Sequence, residues 1–172
     1  MKIGFDFGTT NCVVATQHHN NKMDFVGPIP SLIVVKDIEL YFGKDALNVL
    51  RTEPDRVDVL RALKLQMEQK TVRLGQTNYE TKYLAAELFK NIIKTSGFEK
   101  EEDLEGVIGI PIRMPYEARR NIAEAAKLAG FKRTSFVYEP TAALLGATDD
   151  LIREELQGYS IVIDWNFRSF PY

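Results

Sequence analysis

The chain has 172 residues, of which 45% are hydrophobic and 27% charged, with a formal net charge of -2. This composition is typical of a soluble globular protein with one ordinary domain, or a small domain made of two units. The balanced charge gives no support to nucleic-acid binding, and no apolar run is long enough to cross a bilayer. The N-terminus lacks a signal-peptide layout and Cys12 is the single cysteine, so we expect a cytoplasmic protein without an internal disulfide.

The first segment predicts an antiparallel meander of three short strands. The strand-like stretches are 2–7, 11–17 and 23–26. The segment 27–31, which contains two prolines and a glycine, is expected to break this pattern and begin a different region.

The following region, 32–97, is predicted to be an inserted α/β subdomain. The pattern predicts strands at 32–35, 39–42 and 71–74 and helices at 44–50 and 56–69. Thr77 and Glu80 have the spacing of a capping box, which predicts the start of a further helix. Leu84, Leu88 and Ile92 follow at helical spacing, and Gly97 is placed to end that helix.

From Gly106 onward, strand-like and helix-like segments alternate along the chain. The predicted elements are a buried strand at 107–112, a helix between Pro115 and Gly130, a strand at 135–138, a helix from Pro140 and a strand at 159–164. Strands that alternate with helices predict a parallel part of a sheet that is covered by helices.

The turn after the first strand carries the residue types of a phosphate site. Gly8 allows a backbone conformation that a side chain would hinder, and Thr9 and Thr10 offer adjacent N–H groups and hydroxyls that can hold an anion. Asp6, at the end of the strand, is placed to hold a hydrated Mg²⁺. The alternative is a plain hairpin in which the glycine and threonines only form the turn.

Several motifs together resemble one protein family. Residues 3–12 (IGFDFGTTNC) are similar to the first phosphate loop of the actin, hexokinase and heat-shock chaperone superfamily. Further stretches resemble the heat-shock chaperones of the DnaK type and fall in the same order: 72–76 (VRLGQ), 107–111 (VIGIP), 129–131 (AGF) and 138–143 (YEPTAA). The resemblance covers essentially residues 1–164.

The resemblance implies a ribonuclease-H-like α/β lobe of the actin type, with a mixed five-stranded sheet flanked by helices. Residues 1–31 and 98–164 would form the core of this first ATPase lobe, and 32–97 the inserted subdomain. In an intact protein of this family, the lobe would bind the phosphates of ATP or ADP with Mg²⁺. Hydrolysis would change the affinity of a separate domain for unfolded peptide, with co-chaperones as further partners.

The resemblance also implies roles for three residues beyond the turn. Lys64 would orient the attacking water and the terminal phosphate, although the family usually follows this lysine with a basic residue and a loop glycine, where this chain has Leu65, Gln66 and Met67. Glu139 would hold a water of the magnesium shell, and Asp164 would act as a second carboxylate that polarises water or binds metal. Their alternative roles are an exposed helix lysine, a helix N-terminal acid and an ordinary strand-end residue.

The segment 165–172 departs from the family pattern. In the family, an aspartate at the position of Asp164 opens a glycine-rich second phosphate loop, whereas this chain continues with bulky residues. We therefore expect no ATP hydrolysis by this chain, loose nucleotide binding and self-association through the aromatic residues of this tail. An actin-like or MreB-like filament protein and an inactive truncated fragment are the alternative interpretations.

Overall fold

The structure is a computed structural model that describes residues 1–17, 23–100 and 103–150. The strands are β1 (Lys2–Phe7), β2 (Asn11–Gln17), β3 (Met23–Pro30), β4 (Leu32–Lys36), β5 (Glu39–Phe42), β6 (Val57–Arg61), β7 (Thr71–Leu74), β8 (Thr77–Glu80), β9 (Glu105–Ile110) and β10 (Arg133–Tyr138). The helices are α1 (Gly43–Thr52), α2 (Leu63–Gln66), α3 (Thr81–Thr95), α4 (Tyr116–Leu128) and α5 (Glu139–Asp150), with a short 3-10 turn at Pro54–Arg56.

The largest sheet is five-stranded and mixed, with the strand order β10-β9-β1-β2-β3. The pairs β1–β9 and β9–β10 are parallel, whereas β1–β2 and β2–β3 are antiparallel. The central strand β1 therefore joins the N-terminal meander to the region of the chain in which strands and helices alternate. The predicted mixed five-stranded sheet flanked by helices is confirmed.

The main hydrophobic core lies against one face of β1. Its side chains alternate strictly, so that Ile3, Phe5 and Phe7 are buried while the residues between them are exposed. Phe89 of α3 meets both phenylalanines edge to face, with ring centroids 4.9 Å from Phe5 and 5.0 Å from Phe7. Phe131 extends the cluster, with its ring centroid 6.3 Å from that of Phe5. This aromatic cluster fixes α3 on the sheet.

The two long helices α3 and α4 pack against each other, and α3 buries the face that its sequence predicts. Leu84, Leu88 and Ile92 are buried on α3, as are Ala118, Ile122 and Ala125 on α4. Gly97 and Gly130 follow the ends of these helices with φ values of 81° and 101°, which is the left-handed region that favours glycine. Among the described helices, none has the length and apolar character needed to cross a bilayer.

A second, smaller sheet has the order β5-β4-β6, and helix α1 packs on it. Leu32, Val34 and Ala46 form the buried centre of this layer. Strands β7 and β8 form a separate hairpin. Helix α3, at the end of the predicted insertion, packs with the five-stranded sheet through Phe89 and also contacts β5 of the smaller sheet. The division into residues 1–31 with 98–164, residues 32–97 and residues 165–172 stays a prediction.

The prediction of a helix at 56–69 was wrong. Val57, Val59 and their neighbours form strand β6, which pairs antiparallel with β4, and only Leu63–Gln66 is helical. Leu60, Leu63 and Met67 are all buried and have helical spacing, which explains the error. The alternating β-branched valines favour a strand when a partner strand is available, and β4 supplies it.

The predicted capping box at Thr77 and Glu80 was also wrong. These residues form β8, which pairs with β7 across a tight turn at Gly75, where φ is 61°. Helix α3 begins at Thr81, and no side chain caps its first turn. The backbone groups of this segment therefore form hydrogen bonds across the β7–β8 hairpin instead of with a capping side chain.

The third strand is longer than predicted, because β3 continues to Pro30 and its Ile29 pairs with Cys12. Proline lacks the N–H that a central strand needs, but β3 lies at an edge of the sheet, where Pro28 and Pro30 are tolerated. The predicted strand at 159–164, Asp164 and the tail at 165–172 lie outside the described residues.

We expect Ile92→Val to lower the free energy of unfolding by about 0.5–1.5 kcal/mol, because Ile92 is fully buried between α3 and the sheet. The matched control is Ile38→Val, since Ile38 is 92% exposed and should change stability by less than about 0.5 kcal/mol. Urea unfolding, monitored by circular dichroism, gives the free energy of unfolding of both variants. Equal effects at the two positions would contradict this description of the core.

Candidate functional site

The candidate site is built on the turn between β1 and β2. A Cβ atom placed on Gly8 would lie 2.0 Å from the carbonyl oxygen of Asn11, so no side chain fits there. Gly8 does not adopt a left-handed conformation, and the need for glycine comes from crowding within the turn. Thr9 and Thr10, at the tip, are exposed. The turn is therefore tightly folded and presents two adjacent threonines to solvent.

Ser31, which directly follows β3, forms two hydrogen bonds with this turn. Its hydroxyl donates a hydrogen bond to the carbonyl oxygen of Gly8 at 2.7 Å, and its backbone N–H donates to the carbonyl of Thr10 at 2.8 Å. Ser31 is only 3% exposed. A buried side chain distant in sequence thus fixes the conformation of the turn.

Cys12 lies beneath the turn and is fully buried. Its Sγ is 3.0 Å from the Ser31 hydroxyl oxygen. Burial raises the pKa of the Cys12 thiol to about 11, although the Ser31 hydroxyl acts in the opposite direction. The thiol therefore stays protonated at neutral pH and packs as a small apolar group.

Three charged residues meet at the end of β1. The Lys64 ammonium forms an ion pair with the Glu139 carboxylate, and both groups interact electrostatically with Asp6. The Lys64 side chain is only 6% exposed, whereas that of Glu139 is 25% exposed. These residues come from α2, the start of α5 and the end of β1. The structure thus brings together three residues that the sequence analysis chose separately.

The carboxyl group of Asp6 is affected by this environment. Desolvation raises its pKa above the usual value even though its outer surface is exposed, and the Glu139 charge acts in the same direction. The Lys64 ammonium lowers the pKa and so opposes both effects. The local field consequently favours a cation close to Asp6, because a positive charge stabilises both carboxylates.

The residues present fit Mg²⁺ bound through water and phosphate rather than a cage made only of protein ligands. Among the described residues, no three His, Cys, Asp or Glu side chains converge as a metal-ligand set. Mg²⁺ commonly keeps several of its waters and uses one or two carboxylates together with phosphate oxygens. Asp6 and Glu139 would provide those carboxylates.

The sequence analysis missed two residues that support the site, Ser31 and Asn121. Asn121 of α4 donates a hydrogen bond from Nδ2 to the carbonyl oxygen of Met67 at 2.7 Å, next to the segment that carries Lys64. Neither residue lies in a recognisable motif, because each acts on a segment distant in sequence. Asp164, the remaining candidate, lies outside the described residues.

The mixed sheet, its flanking helices and the glycine turn at the end of the central strand form an α/β lobe that is consistent with the actin-type ATPase fold. The mixture of parallel and antiparallel strand pairs is what the sequence led us to expect.

No protein-family model matches the chain. Chaperone protein DnaK of Mycoplasmopsis agalactiae is 28% identical over 159 residues, which cover 89% of this chain and 26% of that protein. The protein of the same name from Halobacterium salinarum is 29% identical over 161 residues, covering 89% of this chain and 25% of that protein. Chaperone protein DnaK of Mesomycoplasma hyopneumoniae is 27% identical over 163 residues, which cover 90% of this chain and 26% of that protein.

These matches confirm the resemblance to heat-shock chaperones of the DnaK type over nearly the whole chain. The chain spans about a quarter of the length of the curated relatives that it matches.

We expect Gly8→Ala to destabilise the chain by more than about 2 kcal/mol, because the added methyl group would meet backbone rather than a movable side chain. Gly4→Ala is the matched control, in the strand β1 that precedes the turn. There the added Cβ would lie 3.7 Å from the Cβ of Ala15, an ordinary contact. Thermal and urea unfolding of both variants measure the difference, and a well-tolerated Gly8→Ala would refute the crowding argument.

The raised pKa of Cys12 predicts a loss of stability in alkali. The folded protein holds the thiol proton up to about pH 11, whereas an unfolded chain releases it near the ordinary thiol pKa of 9.0. The unfolded state therefore binds fewer protons between these values, and the free energy of unfolding falls as the pH rises through this window. The expected fall is about 2 kcal/mol, measured by urea unfolding from pH 8.5 to 11.

The control for this prediction is Cys12→Ala, which should remove that contribution to the pH dependence while leaving the titration of the lysines and tyrosines. An identical slope in the variant and the original chain would show that Cys12 does not cause it.

Proposed function

We propose that this chain forms the phosphate-binding first lobe of the nucleotide-binding domain of a DnaK-type chaperone. The observation that carries the proposal is the meeting of Asp6, Lys64 and Glu139 beside the crowded turn at Gly8. An ordinary helix lysine would be exposed, but the Lys64 side chain is buried and ion-paired. The similarity to DnaK chaperones supports the same function.

Each residue has a distinct proposed role at the phosphates of ATP or ADP. Thr9 and Thr10 donate hydrogen bonds to phosphate oxygens from the tip of the turn, while Asp6 and Glu139 hold waters of the Mg²⁺ shell. Bound Mg²⁺ supplies charge neutralisation at the phosphates. Lys64 acts as a point charge that orients the terminal phosphate and the attacking water. Asp164 is proposed as the second carboxylate.

The functions of the whole chaperone are also proposals for this chain. They comprise ATP hydrolysis in the complete protein, a change of affinity for unfolded peptide, interaction with co-chaperones and a role in the stress response in the cytoplasm. They rest on the family resemblance, since the chain spans about a quarter of its curated relatives.

We expect ATP with Mg²⁺ to shift the amide resonances of Gly8, Thr9 and Thr10 in an NMR titration. The dissociation constant should be on the order of millimolar, because few contacts offset the lost freedom of the ligand. Asp6→Asn should abolish the component of binding that depends on Mg²⁺, since it removes a carboxylate beside the turn.

The matched control for this titration is Asp55→Asn, which changes an exposed carboxylate in the distant 3-10 turn and should leave the titration unchanged. Shifts elsewhere in the chain, with none at the turn up to saturating ATP, would contradict the proposed function.

A further inference from the structure

The short helix that carries Lys64 is not stable by itself. Helix α2 has four residues, Leu63–Gln66, and an isolated turn of that length is strongly disfavoured in water. The residue before it, Ala62, has a left-handed backbone with φ 55° and ψ 41°. This conformation is energetically unfavourable for any residue that has a side chain. Surrounding contacts must therefore hold this segment in place.

Asn121 provides such a contact from α4. Its Nδ2 donates to the carbonyl oxygen of Met67, the residue that closes α2, at 2.7 Å. Asn121 is 9% exposed and Met67 is fully buried, so water cannot easily replace this hydrogen bond. Met67 in turn donates its backbone N–H to the carbonyl oxygen of Lys64. A continuous path of hydrogen bonds thus leads from α4 to the backbone of Lys64.

We infer that Asn121 is a positioning residue for Lys64. Its amide fixes the end of α2 and thereby directs the Lys64 ammonium toward Glu139 and Asp6. The consequence for phosphate binding rests on the proposed function, but the positioning itself does not.

The first test measures how accessible the Lys64 amine is, using acetylation at pH 8 and mass spectrometry without nucleotide. We expect Asn121→Ala to raise the modification rate of Lys64 about tenfold, the shift expected from losing one buried hydrogen bond. The rates of the more exposed Lys82 and Lys90 should stay unchanged. If Asn121→Ala does not fold, Asn121→Leu removes the same donor and preserves side-chain volume.

Two control variants separate positioning from general loss of stability. Ile92→Val weakens the core but keeps the Asn121 donor, and Glu124→Ala removes the 2.9 Å ion pair between α4 and Lys82. Neither should expose Lys64. An unchanged Lys64 rate in the Asn121 variant, or an equal rise in the Ile92 variant, would overturn the inference.

The second test is a double-mutant cycle on ATP affinity in the presence of Mg²⁺. Asn121→Ala should weaken binding several-fold when Lys64 is present and have no further effect when combined with Lys64→Met. Increased labelling in the Asn121 variant, together with unchanged ATP affinity in Lys64→Met, would support the positioning of Lys64 and overturn its role in the proposed function. The two conclusions are therefore tested separately.

Discussion

The strict alternation of side chains along β1 is the constraint on which the core and the site both depend. Phe5 and Phe7 point into the core, and Asp6 between them points to the opposite face, where it meets Lys64 and Glu139. Because successive residues of a strand face opposite sides, a slip of one residue would bury Asp6 and expose both phenylalanines. Packing of the core therefore also sets the position of the acidic group at the site.

Much of the fold could be predicted because many elements are specified locally. The burial of Leu84 and Ile122 follows from helical periodicity, and Gly97 and Gly130 follow helix ends as expected. The errors occurred where a partner strand decided the outcome. Leu63 and Met67 have helical spacing, but pairing with β4 made the preceding residues a strand. No pattern within that segment reveals the partner.

The residues of the candidate site also fall into two groups, those that the sequence predicted and those that it did not. Asp6, Gly8 and Glu139 stand in stretches that resemble a family, so the amino-acid sequence was sufficient to select them as candidates. Ser31 and Asn121 act through single side-chain hydrogen bonds to the backbone of distant segments. Such contacts leave no periodic or spacing signal, because the accepting carbonyl belongs to a residue of any type. The supporting contacts of a site are thus harder to predict than the groups that they support.

The parallel pairing of β1 with β9 has a consequence for the order of events during synthesis. Strand β1 emerges from the ribosome first, and its antiparallel partner β2 follows after a short turn, but Lys2 pairs with Glu105 on its other side. At typical rates of elongation, β9 follows roughly 5–20 s later. During that interval the N-terminal meander has an open edge and an unfinished apolar face, and both favour aggregation of the nascent chain until β9 is available.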